Sequence, residues 1–267
     1  MGTGPPPRER LTSTGRPLAL RQELSMPSLP APLARMIEVR GMPCTVTGTE
    51  DLSPSFRRVH LAGERLKGRE WAPCQVTTFL VSPTAFRRYT PDAVDTVTGR
   101  MSILFHRHSA VVPGPTSPGD AWLDSLTAGD PVSAMGLEAM RGFRARAEPG
   151  TTLVCGDATT VGLWYSMIHW LGDRARVCGV VEVPAQDVAV VRELLPGVQV
   201  VAQSQQPGEA VLSWLGDAPP GQQVTQAYLA GHGQTVQRAR NVVRTRYDLH
   251  RSVIHTQPYW ATGKAGL

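Results

Sequence analysis

Little in this chain supports the commoner functional classes. Aromatic residues make up 6% of its 267 positions. They do not interleave with basic residues as on an RNA-binding sheet, so nucleic acid is not an expected partner. No run of about eighteen apolar residues occurs, which predicts no membrane-spanning helix. The N-terminus has no apolar stretch of the secretory kind, and a cytoplasmic location is the default expectation. Four cysteines, Cys44, Cys74, Cys155 and Cys178, stand far apart with no C-x-x-C pair. A zinc knuckle and a redox dithiol are therefore not indicated, and the thiols read as small buried hydrophobes in a reducing compartment. Neither G-x-S-x-G nor H-E-x-x-H is present, so hydrolase chemistry has no local support.

What is present is organised in three parts. Residues 1–35 are rich in Pro, Gly, Ser and Arg without apolar periodicity, which predicts a disordered leader, with Met36 as a candidate start. Residues 36–148 carry short alternating runs at 36–40, 44–48, 58–61, 76–81, 101–105 and 131–135, punctuated by Pro and Gly. Six such strands suggest an antiparallel barrel or sandwich. After Glu148-Pro149-Gly150 the texture changes. Apolar strand-like runs at 151–155, 177–183, 198–202 and 226–230 alternate with helical spacing at 161–171, 188–195, 210–215 and 235–247. That alternation predicts a parallel sheet covered on both faces, over residues 149–267. A 41% hydrophobic content is ample for a core. The net charge of +5 favours an anionic ligand, such as a dinucleotide or an anionic chelate.

One short stretch carries chemistry of its own. In Arg87-Arg88-Tyr89-Thr90, an Arg offers a planar fork of donors to a pyrophosphate. Tyr89 offers an aromatic face, and the Thr90 hydroxyl and amide could reach the edge of an isoalloxazine. A plain β-edge is the bland alternative. Further on, Gly156-Asp157-Ala158-Thr159 opens a helix after a strand. Free amides at such a start suit a dinucleotide phosphate, although the segment is no G-x-G-x-x-G fingerprint, and Asp157 or Thr159 could equally be an ordinary helix cap. His106 and His108 alternate onto one face of a strand, with no third ligand in view, so no metal is expected. Glu182 ends a strand and could touch a ribose, an exposed loop carboxylate being the bland reading. Arg238, Arg240, Arg244 and Arg246 read as the solvated surface of the last helix.

These segments together resemble the siderophore-interacting protein family of ferredoxin-reductase-like ferric-chelate reductases. Leu52-Ser53-Pro54-Ser55-Phe56-Arg57-Arg58-Val59-His60-Leu61-Ala62-Gly63 is similar to the family's opening L-T-P-x-x-x-R-V-x-L-x-G. Residues 87–90 are similar to R-x-Y-T-x-R, Leu104-Phe105-His106 to V-L-H, and Trp122 with Ala128-Gly129-Asp130 to W-A-x-x-A-x-P-G-D. Gly156-Asp157 with Thr159 resembles G-D-E-T, Ala230-Gly231 resembles A-G-E, and Tyr259-Trp260 with Gly263 resembles Y-W-x-x-G.

The resemblance implies an FAD-binding barrel, an NAD(P)H-binding α/β domain, and transfer of electrons from NAD(P)H through FAD to a ferric siderophore or a similar small anionic acceptor. It implies cofactor contacts from Arg87, Tyr89, Thr90, His106, Thr116, Ser117, Gly156, Asp157, Thr159 and Gly231. Thr90 lies nearest the chemistry, and Lys264 lies toward the substrate. Several positions depart from the family pattern. Pro91-Asp92 stands where a second Arg is usual, and Asp92 is expected to repel a pyrophosphate. Asp120 stands in the phosphate loop where a hydroxyl is usual, and Gln75-Val76-Thr77-Thr78 stands where the family has H-V-K-L, losing a basic residue often placed toward the chelate. The alternative is thus a family-derived scaffold with weakened FAD binding, acting as a small-molecule binder or a non-redox biosynthetic enzyme.

Overall fold

The computed structural model describes Met1 and residues 41–83, 85–108, 116–217 and 223–263. The expected leader, the strand at 36–40 and Lys264 fall outside the described residues.

The first sheet has seven strands: β1 (Gly41–Asp51), β2 (Phe56–Ala62), β3 (Gln75–Ser82), β4 (Ala85–Tyr89), β5 (Ala93–Asp95), β6 (Arg100–His106) and β7 (Pro131–Ala139). Their order is β4-β3-β7-β1-β2-β6-β5, and every pairing is antiparallel. The sheet is barrel-like. Successive side chains of a strand point to opposite faces, so β1 sends Met42, Cys44 and Val46 inward. They meet Val59, Leu61, Phe79, Ile103 and Phe105 in one cluster. β4 was legible only as the bland β-edge alternative and β5 not at all, because neither contains a fully buried residue. Both lie at the ends of the sheet order, where half the ladder needs no apolar partner. Helix α1 (Pro118–Ser125) joins β6 to β7.

The second sheet alternates with helices in the order β8 (Thr151–Asp157), α2 (Val161–Leu171), β9 (Arg176–Val183), α3 (Val188–Leu194), β10 (Val198–Ala202), α4 (Glu209–Asp217), β11 (Val224–His232), α5 (Gly233–Arg246) and β12 (Ile254–Trp260). All its pairings are parallel, in the order β10-β9-β8-β11-β12. β8 and β11 are buried almost throughout, as strands covered on both faces are. β12 was missed because Pro258 interrupts it, and Pro is tolerated here since the strand is at the sheet's edge. The strand order reverses between β8 and β11, which opens a crevice at the carboxyl ends of those strands.

The two sheets share a hydrophobic seam. Phe56 and Leu104 from the first sheet pack with Val154 and Tyr228 from the second and with Trp164 of α2. α2 packs against β6 at Gly162, where a Cβ would be in van der Waals contact with Leu104. A polar latch accompanies the packing, where Ser53 Oγ donates to the buried Asp187 Oδ1 at 2.5 Å. No helix among the described residues is long and apolar enough to cross a membrane.

Candidate functional site

A cavity of about 1440 Å³ opens along this seam. Small-molecule pockets commonly span ~300–1,000 Å³, so a dinucleotide-sized ligand has room. From the first sheet its wall includes Arg87, Tyr89, Thr90 and His106, and from α1 it includes Ser117 and Asp120. From the second sheet it includes Thr159, Tyr259 and Trp260. Candidates as far apart in sequence as Arg87 and Thr159 are thus brought to one place, together with Tyr259 and Trp260.

β4 presents the first group. Arg87 is exposed and its guanidinium bonds the Phe86 carbonyl at 2.8 Å. Tyr89 alternates inward, edge-on to Phe105 at 4.5 Å between centroids and parallel to Trp122 at 6.4 Å. Burial pushes its phenol up to about 12, with Arg87 opposing and Asp120 adding to the shift. Gly119 is needed beside it, because a Cβ there would fall 2.9 Å from the Tyr89 hydroxyl. Thr90 shares a 2.8 Å hydrogen bond with the Tyr259 hydroxyl. His106 and His108 do share a face, with ring centroids 5.1 Å apart. Burial, aided by His108, holds His106 down to about 3, so its ring is neutral. Neither ring nitrogen of His106 has a hydrogen-bond partner among the described residues.

The phosphate-loop candidates separate. Ser117 caps α1, its hydroxyl accepting from the Asp120 amide at 3.1 Å. Thr116 is exposed and does not line the cavity. Asp120 is 4% exposed, in the first turn of α1. Val76 and Thr78 of β3 also reach the cavity wall.

The turn after β8 is a structural hub as well as a candidate nucleotide turn. Asp157 Oδ1 accepts from the Thr159 amide at 2.9 Å and from its hydroxyl at 2.5 Å. Oδ2 accepts from the His232 amide at 2.7 Å and from Trp260 Nε1 at 2.9 Å. One carboxylate therefore binds together the carboxyl ends of β8, β11 and β12. Gly231, with φ +102°, is required by this closeness, since a Cβ would lie 2.3 Å from Asp157 Oδ2. Gly156 is equally constrained, a Cβ there meeting Thr160 Oγ1 at 2.2 Å. Thr159 faces the cavity, while Gly156, Asp157 and Gly231 lie behind it.

Two expectations are corrected. Asp92 does not face a pyrophosphate. It is 2% exposed and paired with Arg58 Nε at 2.8 Å, while Arg58 lies 5.2 Å over the Tyr165 ring of α2. Glu182 is no exposed loop carboxylate. It is 3% exposed, and its Oε1 accepts the Gly208 amide at 2.5 Å. Burial raises its carboxyl to about 7. Sequence reasoning also passed over Tyr259 and Gly119 as site residues. Tyr259 stood in a quoted motif, but nothing local showed that its hydroxyl would reach Thr90.

Comparison with known proteins follows the same lines. Residues 150–263 match the model of a family described as siderophore-interacting protein. Curated proteins give no match. Among solved structures, the siderophore-interacting protein SipS from Aeromonas hydrophila aligns with TM-score 0.69 at 21% identity, over 85% of this chain and 93% of that one. A siderophore utilization protein from T. fusca gives 0.69 at 18% identity, over 85% and 95%. Phthalate dioxygenase reductase gives 0.65 at 15% identity, over 86% and 71%. The resemblance read from the sequence is upheld, and the fold is that of the ferredoxin-reductase-like proteins.

Proposed function

We propose that this chain is an oxidoreductase that passes electrons from NAD(P)H through FAD to a ferric siderophore or a similar anionic acceptor. The reading divides the chain near residue 149 into a flavin-holding barrel and a nucleotide-holding α/β unit. The observation that carries it is the single cavity in which Arg87, Tyr89, Thr90 and His106 face Thr159 and Tyr259.

The residues present fit a flavin dinucleotide. His106 offers buried ring nitrogens with no partner among the described residues. Gly119 keeps open a space that a Cβ would close. Arg87 and Arg88 supply guanidiniums for a pyrophosphate, and Asp92 is held away from it by Arg58. Held by these residues, FAD would supply hydride acceptance and one-electron transfer. The protein's part is to orient and to exclude water. Tyr89 gives a wall, Thr90 a hydroxyl held in place by Tyr259, and His106 a neutral ring that neither repels nor attracts a charged ligand. Thr159 lines the wall that a nicotinamide nucleotide would approach, while its amide and hydroxyl are held by Asp157. An anionic acceptor is favoured by the cavity's rim arginines, Arg65, Arg69 and Arg141.

A second reading, a scaffold of this fold that binds a small molecule without redox work, rests on Asp120. Its carboxylate lies in the cavity wall close enough to raise the Tyr89 phenol, where a phosphate would meet it.

The visible spectrum of the purified protein separates the two, before and after incubation with FAD. Yellow protein whose colour is bleached anaerobically by NAD(P)H supports the oxidoreductase. Colourless protein that takes up no flavin rules it out. Flavin uptake by Asp120→Ser, with none by the parent, establishes the scaffold.

A further inference from the structure

The nucleotide-facing edge of the second sheet is poor in cations. Between Arg176 and Arg238 the sequence holds a single Lys or Arg, Arg192, against the carboxylates Glu182, Asp187, Glu193, Glu209 and Asp217. This stretch is acidic within a chain whose net charge is +5. It contains β9 and β10 with the segments that follow their carboxyl ends. The turn after β9 reads Val183-Pro184-Ala185-Gln186-Asp187, and the loop after β10 reads Gln203-Ser204-Gln205-Gln206-Pro207-Gly208. Neither contains a cation. Arg192 lies in the last turn of α3, at the far end of that helix from the β9 edge.

Glu182 ties the two segments together. It stands opposite Asp157 in the register of β9 on β8. Its Oε1 holds the Gly208 amide, which fixes the end of the loop after β10. Its Oε2 is buried without a partner among the described residues. The same loop is anchored from α5, where Thr235 Oγ1 donates to the Pro207 carbonyl at 3.2 Å, and from β9, where the Gln203 amide donates to the Val183 carbonyl at 2.8 Å. The loop is thus held in one place and presents neutral amides and hydroxyls.

In open parallel sheets a dinucleotide lies across the carboxyl ends of the strands, its adenosine ribose toward the second and third strands. An acid there suits a free ribose 2′-hydroxyl, whereas a 2′-phosphate calls for Arg or Lys. We infer that this chain takes its electrons from NADH and discriminates against NADPH, with the loop 203–208 as the ribose reader and Glu182 as the residue that positions it. This rests on the oxidoreductase reading above. Discrimination comes from the missing cation and from the exposed Glu209 carboxylate that follows the loop. Such repulsion is strongest at low ionic strength.

The test is direct binding of NAD⁺ and NADP⁺ to the purified full-length protein by titration calorimetry at low salt, with the variant Gln203→Arg alongside. Gln203 is exposed, so the new side chain needs no repacking. NAD⁺ is expected to bind at least about tenfold more tightly than NADP⁺, and Gln203→Arg to narrow or invert that ratio. Equal or tighter binding of NADP⁺ by the parent overturns the inference and leaves the oxidoreductase reading standing. Binding of neither overturns both. An unchanged ratio in Gln203→Arg overturns the loop's assignment as reader.

Discussion

The Thr90 and Tyr259 hydroxyls lie 2.8 Å apart and join the end of β4 to β12 across the seam of the two sheets. Burial keeps the Tyr259 phenol protonated far above its ordinary range, so a donor is always available. Removing either hydroxyl leaves the other without its bond. Tyr259→Phe and Thr90→Val should each lower stability by about 0.5–1.5 kcal/mol. The double variant should lose less than the sum of the two, since they share one interaction. Urea denaturation of the four proteins measures this. Strict additivity would show that the hydroxyls act independently.

Gly231 and Asp157 form a second such relationship. Gly231 holds φ +102°, and its missing Cβ leaves room for Asp157 Oδ2. That carboxylate cannot retreat, because four donors from three strand ends fix it. Gly231→Ala therefore combines backbone strain with a clash, and should cost about 1–3 kcal/mol or more. Gly48→Ala is the control, as a Cβ there meets nothing within 4 Å. The measurement is the denaturation midpoint of both variants. A loss for Gly231→Ala no larger than for Gly48→Ala would contradict the geometry.

The pair of Arg58 and Asp92 shows how far the sequence could be read. Position 92 stood out as a departure from the flavin motif, and a carboxylate beside a pyrophosphate was the natural inference. Its partner lies thirty-four positions earlier on β2, and nothing local announces that pairing. The second sheet was legible strand by strand, because β8, β9 and β11 are buried along most of their length around apolar residues, and β10 carries Val198, Val200 and Val201. The edge strands β5 and β12 were not, since neither carries a run of buried apolar residues. On the cavity wall, Arg87, Tyr89 and Thr90 were singled out through one compact motif. The orphaned ring of His106 and the four-donor role of Asp157 depend on contacts that only the folded chain creates.

Breaking that ion pair has a definite cost. Arg58 and Asp92 side chains are 14% and 1% exposed, and each half alone would be a poorly solvated charge. Arg58→Ala or Asp92→Ala should destabilise by about 3–5 kcal/mol, while the joint replacement Arg58→Met with Asp92→Leu should recover much of the loss. Thermal unfolding of the three variants decides. If the double variant is as unstable as the worse single one, desolvation is not the governing cost.

Two buried titratable groups give stability opposite slopes with pH. Glu182 is raised by burial to about 7 from an ordinary 4.5, with Asp157 and Glu209 adding to the shift and the Gly208 amide opposing it. Its folded form holds the proton more tightly, so its contribution is full below 4.5 and is lost as pH rises through 7. His106 is lowered to about 3 from 6.5 by burial and by His108, with Asp120 opposing. Its contribution is full above 6.5 and is lost as pH falls through 3. The two partly cancel between 4.5 and 6.5, so the parent's own profile says little there. Difference curves resolve them. The stability of Glu182→Gln relative to the parent should climb as pH rises from 4.5 to 7 and then level off. That of His106→Gln relative to the parent should climb as pH falls from 6.5 toward 3. Denaturant midpoints across this range supply both curves. A flat Glu182→Gln difference would mean that this carboxyl titrates in the folded chain as it does in the unfolded one, and that water reaches it despite its burial.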